Sequence, residues 1–264
     1  MPAGSNDPRE IVRQAALNDM ANDLKARNYT FLESQVLHKL DGQGKPRSTE
    51  TKTYEFMMLY GEPVRRLIAK DGKPLSAEDA AREEEKIDKL VQKREHETAE
   101  QRQKRLEKYE KEREQERAFV GEIADAYYFH LLGEEIINGR PAWVISGDPR
   151  QDFHAHLKEA RILPKFRFKV WVDKAECQWV KLDAEVIDTV SFGWFLARLN
   201  RGSNLAIDET HVNNEVWLPR HIDLVLNARL ALLKKYDLAE TIDFSDYRKF
   251  RADTHIVSGP PVKP

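Results

Sequence analysis

Residues 166–187, FRFKVWVDKAECQWVKLDAEVI, decide how the rest of the chain is read. Phe166, Phe168, Val170 and Val172 alternate with Arg167, Lys169, Trp171 and Asp173. Beyond a polar break at 173–176, Val180, Leu182, Ala184 and Val186 alternate with Trp179, Lys181, Asp183 and Glu185. Period-two alternation on both sides of a short polar turn predicts an antiparallel hairpin with one apolar and one wet face. The apolar face needs a cover, and the kind of cover separates a sandwich, a barrel and a cup for a ligand.

Strand signals continue on both sides. Downstream, the apolar stretch 190–199 has a bend or bulge expected at Gly193, and strands are expected at 205–212 and 217–226 around the turn pair Asn213-Asn214. Two further strands, 229–237 and 241–250, close the pattern before a frayed tail at 258–264. Upstream, Asn138-Gly139 joins expected strands 127–137 and 141–146, and the segment 147–164 reads as irregular. Near the start, 29–40, 50–60 and 64–70 read as three more strands. Asp7 followed by Pro8 is an N-cap and first-turn signature, placing a helix over 8–26 with a moderate apolar stripe through Ile11, Ala15, Met20 and Leu24.

Between these blocks the chain changes character. From Ser76 to Arg117 it is dominated by Glu, Lys, Arg and Gln. Ser76 caps one helix over 77–95, and the capping box Thr98…Gln101 opens a second over 99–117, with 119–126 as a last helical turn. Apolar residues are few: Ile87, Leu90 and Val91, then Leu106 and Tyr109. Such helices lean on i,i+4 charge pairs and one thin seam, which predicts a solvated arm at 76–118 or, as a functional alternative, a lid or docking element.

Composition narrows the function classes. A chain of 264 residues with 41% hydrophobic content builds a core, and a formal net charge of -2 gives no basic field for nucleic acid. The 11 Phe, 8 Tyr and 5 Trp suit sheets. Cys177 is the only cysteine, so no intramolecular disulfide forms; beside a hairpin turn it reads as structural. No run of about 18 apolar residues spans a membrane. The opening MPAGSNDPRE lacks the basic and apolar regions of a secretory leader, which fits a cytosolic protein and equally a chain whose leader has been removed.

Catalytic signatures are missing: there is no G-x-S-x-G, no H-E-x-x-H and no Rossmann glycine fingerprint. Gly42-Gln43-Gly44-Lys45 lacks phosphate-loop spacing and precedes a strand. Asp152, His154 and His156 form the best metal motif, since a strand would put all three on one side, but their Gly, Pro and Arg surroundings read as an exposed loop. No enzyme activity, cofactor or metal is expected.

Three segments carry a family resemblance. Trp171-Val172-Asp173 followed by Trp179-Val180-Lys181-Leu182-Asp183-Ala184-Glu185 resembles the W-[IV]-D hairpin of LolA-like proteins. Val216-Trp217-Leu218-Pro219 resembles the WLP strand of that superfamily. Residues 244–250, FSDYRKF, resemble the closing strand of its bacterial outer-membrane lipoprotein-sorting members. The resemblance implies one α+β domain over 1–264, a strongly curved antiparallel half-barrel with covering helices and the charged arm as an insertion. It also implies an exported, periplasmic protein whose apolar concavity shields lipid or lipoprotein acyl chains. No lid arginine of the family is carried over to a position here.

The expected lining of that concavity is Tyr54, Phe56, Met58, Phe166, Phe168, Val170, Val180 and Leu182. The competing reading makes these residues ordinary core beneath the helices. The alternative function is a cell-envelope interaction module that docks a protein partner through 76–118 and holds no lipid. A large apolar cavity favours the carrier, a cup plugged by the first helix favours the module, and a convergent His or carboxylate cluster favours an enzyme.

Overall fold

A computed structural model describes residues 7–192, 197–230 and 234–249. The expected bend at Gly193, residue Phe250 of the closing motif and the tail at 258–264 lie outside them. The chain opens with helix α1 (Pro8–Ala26), then strands β1 (Tyr29–Leu40), β2 (Pro46–Leu59), β3 (Glu62–Lys70) and β4 (Lys73–Pro74). Helices α2 (Ala77–Glu95) and α3 (Ala99–Ala126) follow. Strands β5 (Tyr127–Ile137) and β6 (Arg140–Pro149) lead to a short 3-10 helix (Glu159–Lys165). The remainder is β7 (Phe166–Asp173), β8 (Trp179–Val186), β9 (Val190–Phe192), β10 (Ala197–Leu199), β11 (Asn204–Val212), β12 (Val216–Leu230) and β13 (Lys234–Lys249).

All strands belong to one open antiparallel sheet, in the order β4-β3-β2-β1-β13-β12-β11-β8-β7-β6-β5, with β10 pairing β12 and β9. The fold class is therefore α+β, an open antiparallel sheet with helices packed against it. β13 pairs with β1 and so lies beside the first strand, and β11 pairs with β8 across the β9–β10 excursion. Two expectations are corrected: 229–237 and 241–250 are not separate strands, because β12 runs on to Leu230 and β13 is continuous. The irregular 147–164 segment also contains the end of β6 and the 3-10 helix.

Local chemistry sets the helix ends. Asp7 accepts a hydrogen bond from the Arg9 amide, and Ser76 accepts one from Asp79. At α3, Thr98 and Gln101 exchange both capping-box bonds, at 3.2 and 3.0 Å. α3 does not stop at 117, because 119–126 continues it into the apolar interior.

The main core lies where α1 meets the sheet. Ile11, Val12 and Ala15 pack on Trp143, Ile145, Val170, Val172 and Cys177, all buried. The opposite face of the same strands carries a second cluster of Ala142, Val144, Trp171, Val180 and Trp217. That face was expected to be wet. It is dried by charged side chains that lay their stems on the rings: Lys169 and Lys181 sit 4.3 and 5.0 Å from the Trp171 ring centre. The Trp171 indole donates to Glu135 at 2.8 Å, so its one polar atom is satisfied.

The 76–118 segment is held to the sheet. Arg94 and Arg105 both reach Glu62 on β3, at 2.7 and 3.5 Å, and Arg105 also holds Glu97 at 2.8 Å. Outward charges pair along the helices, as in Arg82–Glu78, Lys89–Glu85 and Lys104–Glu100.

Candidate functional site

Sheet register shows where a ligand site can form. Following paired residues from β7 to β2, one row reads Phe168, Ala184, Leu205, Leu224, Glu240, Leu37, Glu50. The next reads Val170, Leu182, Ile207, Ile222, Ile242, Gln35, Lys52. Paired residues share a face. In these two rows the inner face is wholly apolar from β7 to β12 and becomes mixed from β13 to β2, where Glu240, Gln35, Glu50 and Lys52 join Ile242 and Leu37.

Over the apolar part lies a cavity of about 340 Å³. Its floor is Phe166, Phe168, Trp179, Leu182, Ala184, Val186, Leu199, Leu205, Leu224 and Leu226. Its roof is Phe119 and Ile123 from α3, with Ile162 and Leu163 from the 3-10 helix and Tyr127 at the α3–β5 junction. Ser203 and Asn204 complete the lining. The Ser203 hydroxyl is already engaged with the Asn200 carbonyl at 3.0 Å and the Asn227 amide at 2.9 Å. Trp179 Nε1 is buried with no hydrogen-bond partner, an unspent donor on a lining residue.

One end of the cavity is an aromatic stack. The Phe168 ring meets Tyr127 edge-on at 4.6 Å and Phe129 at 6.1 Å. Tyr127 donates its hydroxyl to the Leu163 carbonyl at 2.6 Å, tying the 3-10 helix to β5, and burial pushes that phenol well above its ordinary range. Glu122 of α3 accepts from the His156 and Leu157 amides at 3.0 and 2.6 Å and so holds the 150s loop against the roof.

The expected lining residues separate into three groups. Phe166, Phe168 and Leu182 line the cavity. Val170 lies on the same face but is core beneath α1. Tyr54, Phe56 and Met58 share the inner face by register and alternation, yet lie outside the cavity on the far strands. Their region is bound up in its own contacts: Phe56 stacks on Phe31 at 4.4 Å, and Arg65 sits 4.2 Å over Tyr54 while bonding the buried Glu33 at 2.7 Å.

Val180 is a correction. A β-bulge between Trp171 and Val172 pairs Trp171 with Lys181 but Val172 with Trp179. The extra residue inverts the alternation, so Val180 joins the outer cluster and Trp179 takes the inner face. The roof and the β10–β12 floor had no counterpart in the expected lining. Their signal was the apolar tail of α3, FVGEIADA, and the Leu205/Leu224/Leu226 alternation. Helix α1 fills the neighbouring ground over β6–β8, so the inner face holds both a plug and a cavity.

Other candidates are tied down. Arg150 engages Asp152 at 3.1 and 2.8 Å, and the His156 side chain is exposed. Among the described residues no three His, Cys, Asp or Glu side chains converge as metal ligands. Burial pushes the Cys177 thiol up to about 11, and its Sγ lies 3.6 Å from the Ile11 carbonyl. That chemistry is a core residue's, not a nucleophile's. Glu209 Oε2 is buried with no partner; burial first and then the Asp19 carboxylate push Glu209 up to about 8. Among the described residues no helix is long and apolar enough to cross a membrane.

No family model matches the sequence, and no curated protein matches it. Among solved structures, the chain is similar to a DUF1329 family protein from Desulfovibrio piger, at 11% identity over 94% of this chain and 96% of that one, TM-score 0.33. It is also similar to a protein domain named for outer membrane lipoprotein sorting from Vibrio parahaemolyticus, at 13% identity over 93% and 95%, TM-score 0.34. A LolA superfamily protein from Nitrosomonas europaea matches at 14% identity over 90% and 93%, TM-score 0.29.

Proposed function

We propose that this chain is a non-catalytic binding protein that holds a single apolar chain, the acyl group of a lipid or lipoprotein, between the β7–β12 floor and the α3 roof. The cavity carries this reading. Its lining is almost wholly apolar and the space of about 340 Å³ is partly open to solvent, so without a ligand it leaves apolar surface of Phe168, Leu182, Leu205 and Leu224 against water. A ligand supplies the missing contacts: each buried methylene contributes about 0.8 kcal/mol, so a ten-carbon stretch gains roughly 8 kcal/mol before ordering costs. The periplasmic setting follows from the sequence resemblance.

The test is native mass spectrometry of protein taken from a bacterial envelope, followed by lipid extraction. Near-stoichiometric acyl species, lost in a folded Leu182→Asp variant, support the reading. Ligand-free protein that also ignores added fatty acid and lipopeptide refutes it.

A further inference from the structure

We propose that the outer edge of β5 is a self-association edge, on which a second copy of this chain adds its own β5 antiparallel and makes one continuous sheet across the pair. The two edges of the sheet are treated differently. At the far edge, β4 is two residues long and ends at Pro74; β3 carries Pro63 and Lys70; and α2 is fastened to β3. Short strands, proline, lysine, covering helices, β-bulges and inward charges are the devices by which sheets avoid edge pairing. The β5 edge lacks the first four and carries a bulge at Leu131–Gly133 and one inward glutamate, Glu134, which the second copy must accommodate. It runs for 11 residues, YYFHLLGEEII, without lysine or proline. Tyr128, Leu132 and Ile136 are 54%, 58% and 69% exposed. Among the described residues nothing pairs with this edge beyond β6.

The occupant is read from self-complementarity. A bulge between Leu131 and Gly133 adds one residue and exchanges the faces along β5. Leu131 and Glu134 lie opposite Ile145 and Trp143, on the inner face; His130 and Glu135 lie opposite Ser146 and Ala142, on the outer face. A two-fold axis between residues 132 and 133 therefore matches faces throughout. It sets Phe129 against Ile136, Tyr128 against Ile137, and His130 against Glu135, each twice. Aromatic–aliphatic cross-strand pairs are favourable, and neither glutamate meets its own kind.

Sedimentation of the full chain tests this. The protein dimerises in the micromolar range, and Ile136→Lys and Leu132→Lys, which keep the native circular dichroism spectrum, each weaken the dimer by about tenfold or more because each change occurs twice. Under oxidation, a Leu131→Cys/Glu134→Cys double variant forms a covalent dimer, which only this register permits. A monomer at concentrations up to about 0.1 mM overturns the proposal. So does a dimer untouched by both lysines, or a double variant that stays uncrosslinked. None of these outcomes depends on ligand in the cavity.

Discussion

The tip of the Phe168 ring lies against Gly147: a Cβ built at position 147 would sit 2.5 Å from its Cζ, and the two residues are direct partners in the β6–β7 ladder. Glycine is needed here for space, not for an unusual backbone angle. Gly147→Ala should push Phe168 off its seat against Tyr127 and destabilise the protein by about 1–3 kcal/mol. Urea unfolding measures the loss, and binding of a fluorescent apolar probe should weaken with it.

Filling the cavity separates binding from folding. Ala184 stands in the floor between Phe168 and Leu205. Ala184→Phe should place a ring in the void, raise stability by about 0.5–2 kcal/mol and abolish uptake of an apolar probe. Thermal melts and probe titration are read on the same sample. A variant that binds as the wild type does would mean that ligands sit elsewhere.

Glu209 gives a pH dependence with a definite sign. Its folded value of about 8 lies above the ordinary 4.5. Between those values the folded chain keeps a proton that the unfolded chain releases. The stability linked to this group is therefore full below about pH 4.5 and is lost as the pH rises through about 8. Glu209→Gln should flatten that part of the curve and stabilise the protein at pH 8 by about 1–3 kcal/mol. Chemical unfolding of both proteins across pH 5–9 shows the difference.

The Glu62–Arg94–Glu97–Arg105 network should cost more to break than the exposed pairs. Arg105 and Glu97 side chains are only 11% and 8% exposed. Arg105→Ala removes the better-placed partner of Glu97 and a link to Glu62 and should lower stability more than Lys104→Ala, which on an exposed pair should change it by less than about 0.5 kcal/mol. Limited proteolysis at the α2–α3 turn should rise only in the first variant.

Periodicity made much of the fold legible. The bounds of α1, β1, α2, β5 and the β7–β8 hairpin all follow from caps, turn pairs and alternation. What stayed hidden has identifiable causes. The bulge at Trp171 inverts Val180 and Trp179, and a period-two pattern carries no mark of one extra residue. Trp171 sits on a face that alternation calls wet, because lysine stems dry it. Tyr54 and Phe56 lie on the inner face, but strand order alone says how far from the cavity, and β13 entering between β1 and β12 is a long-range event. The roof was missed because a helix dominated by Glu, Lys and Arg changes character only in its final two turns.

Helix α3 has 28 residues and so measures about 42 Å. Its capped start is riveted to β3 through Arg105 and Glu62, its middle grips α1 where Arg113 meets Asp23, and its last turns hang over the cavity. One unbroken helix therefore supplies both the charged arm at the surface and, through Phe119 and Ile123, the roof over the apolar cavity.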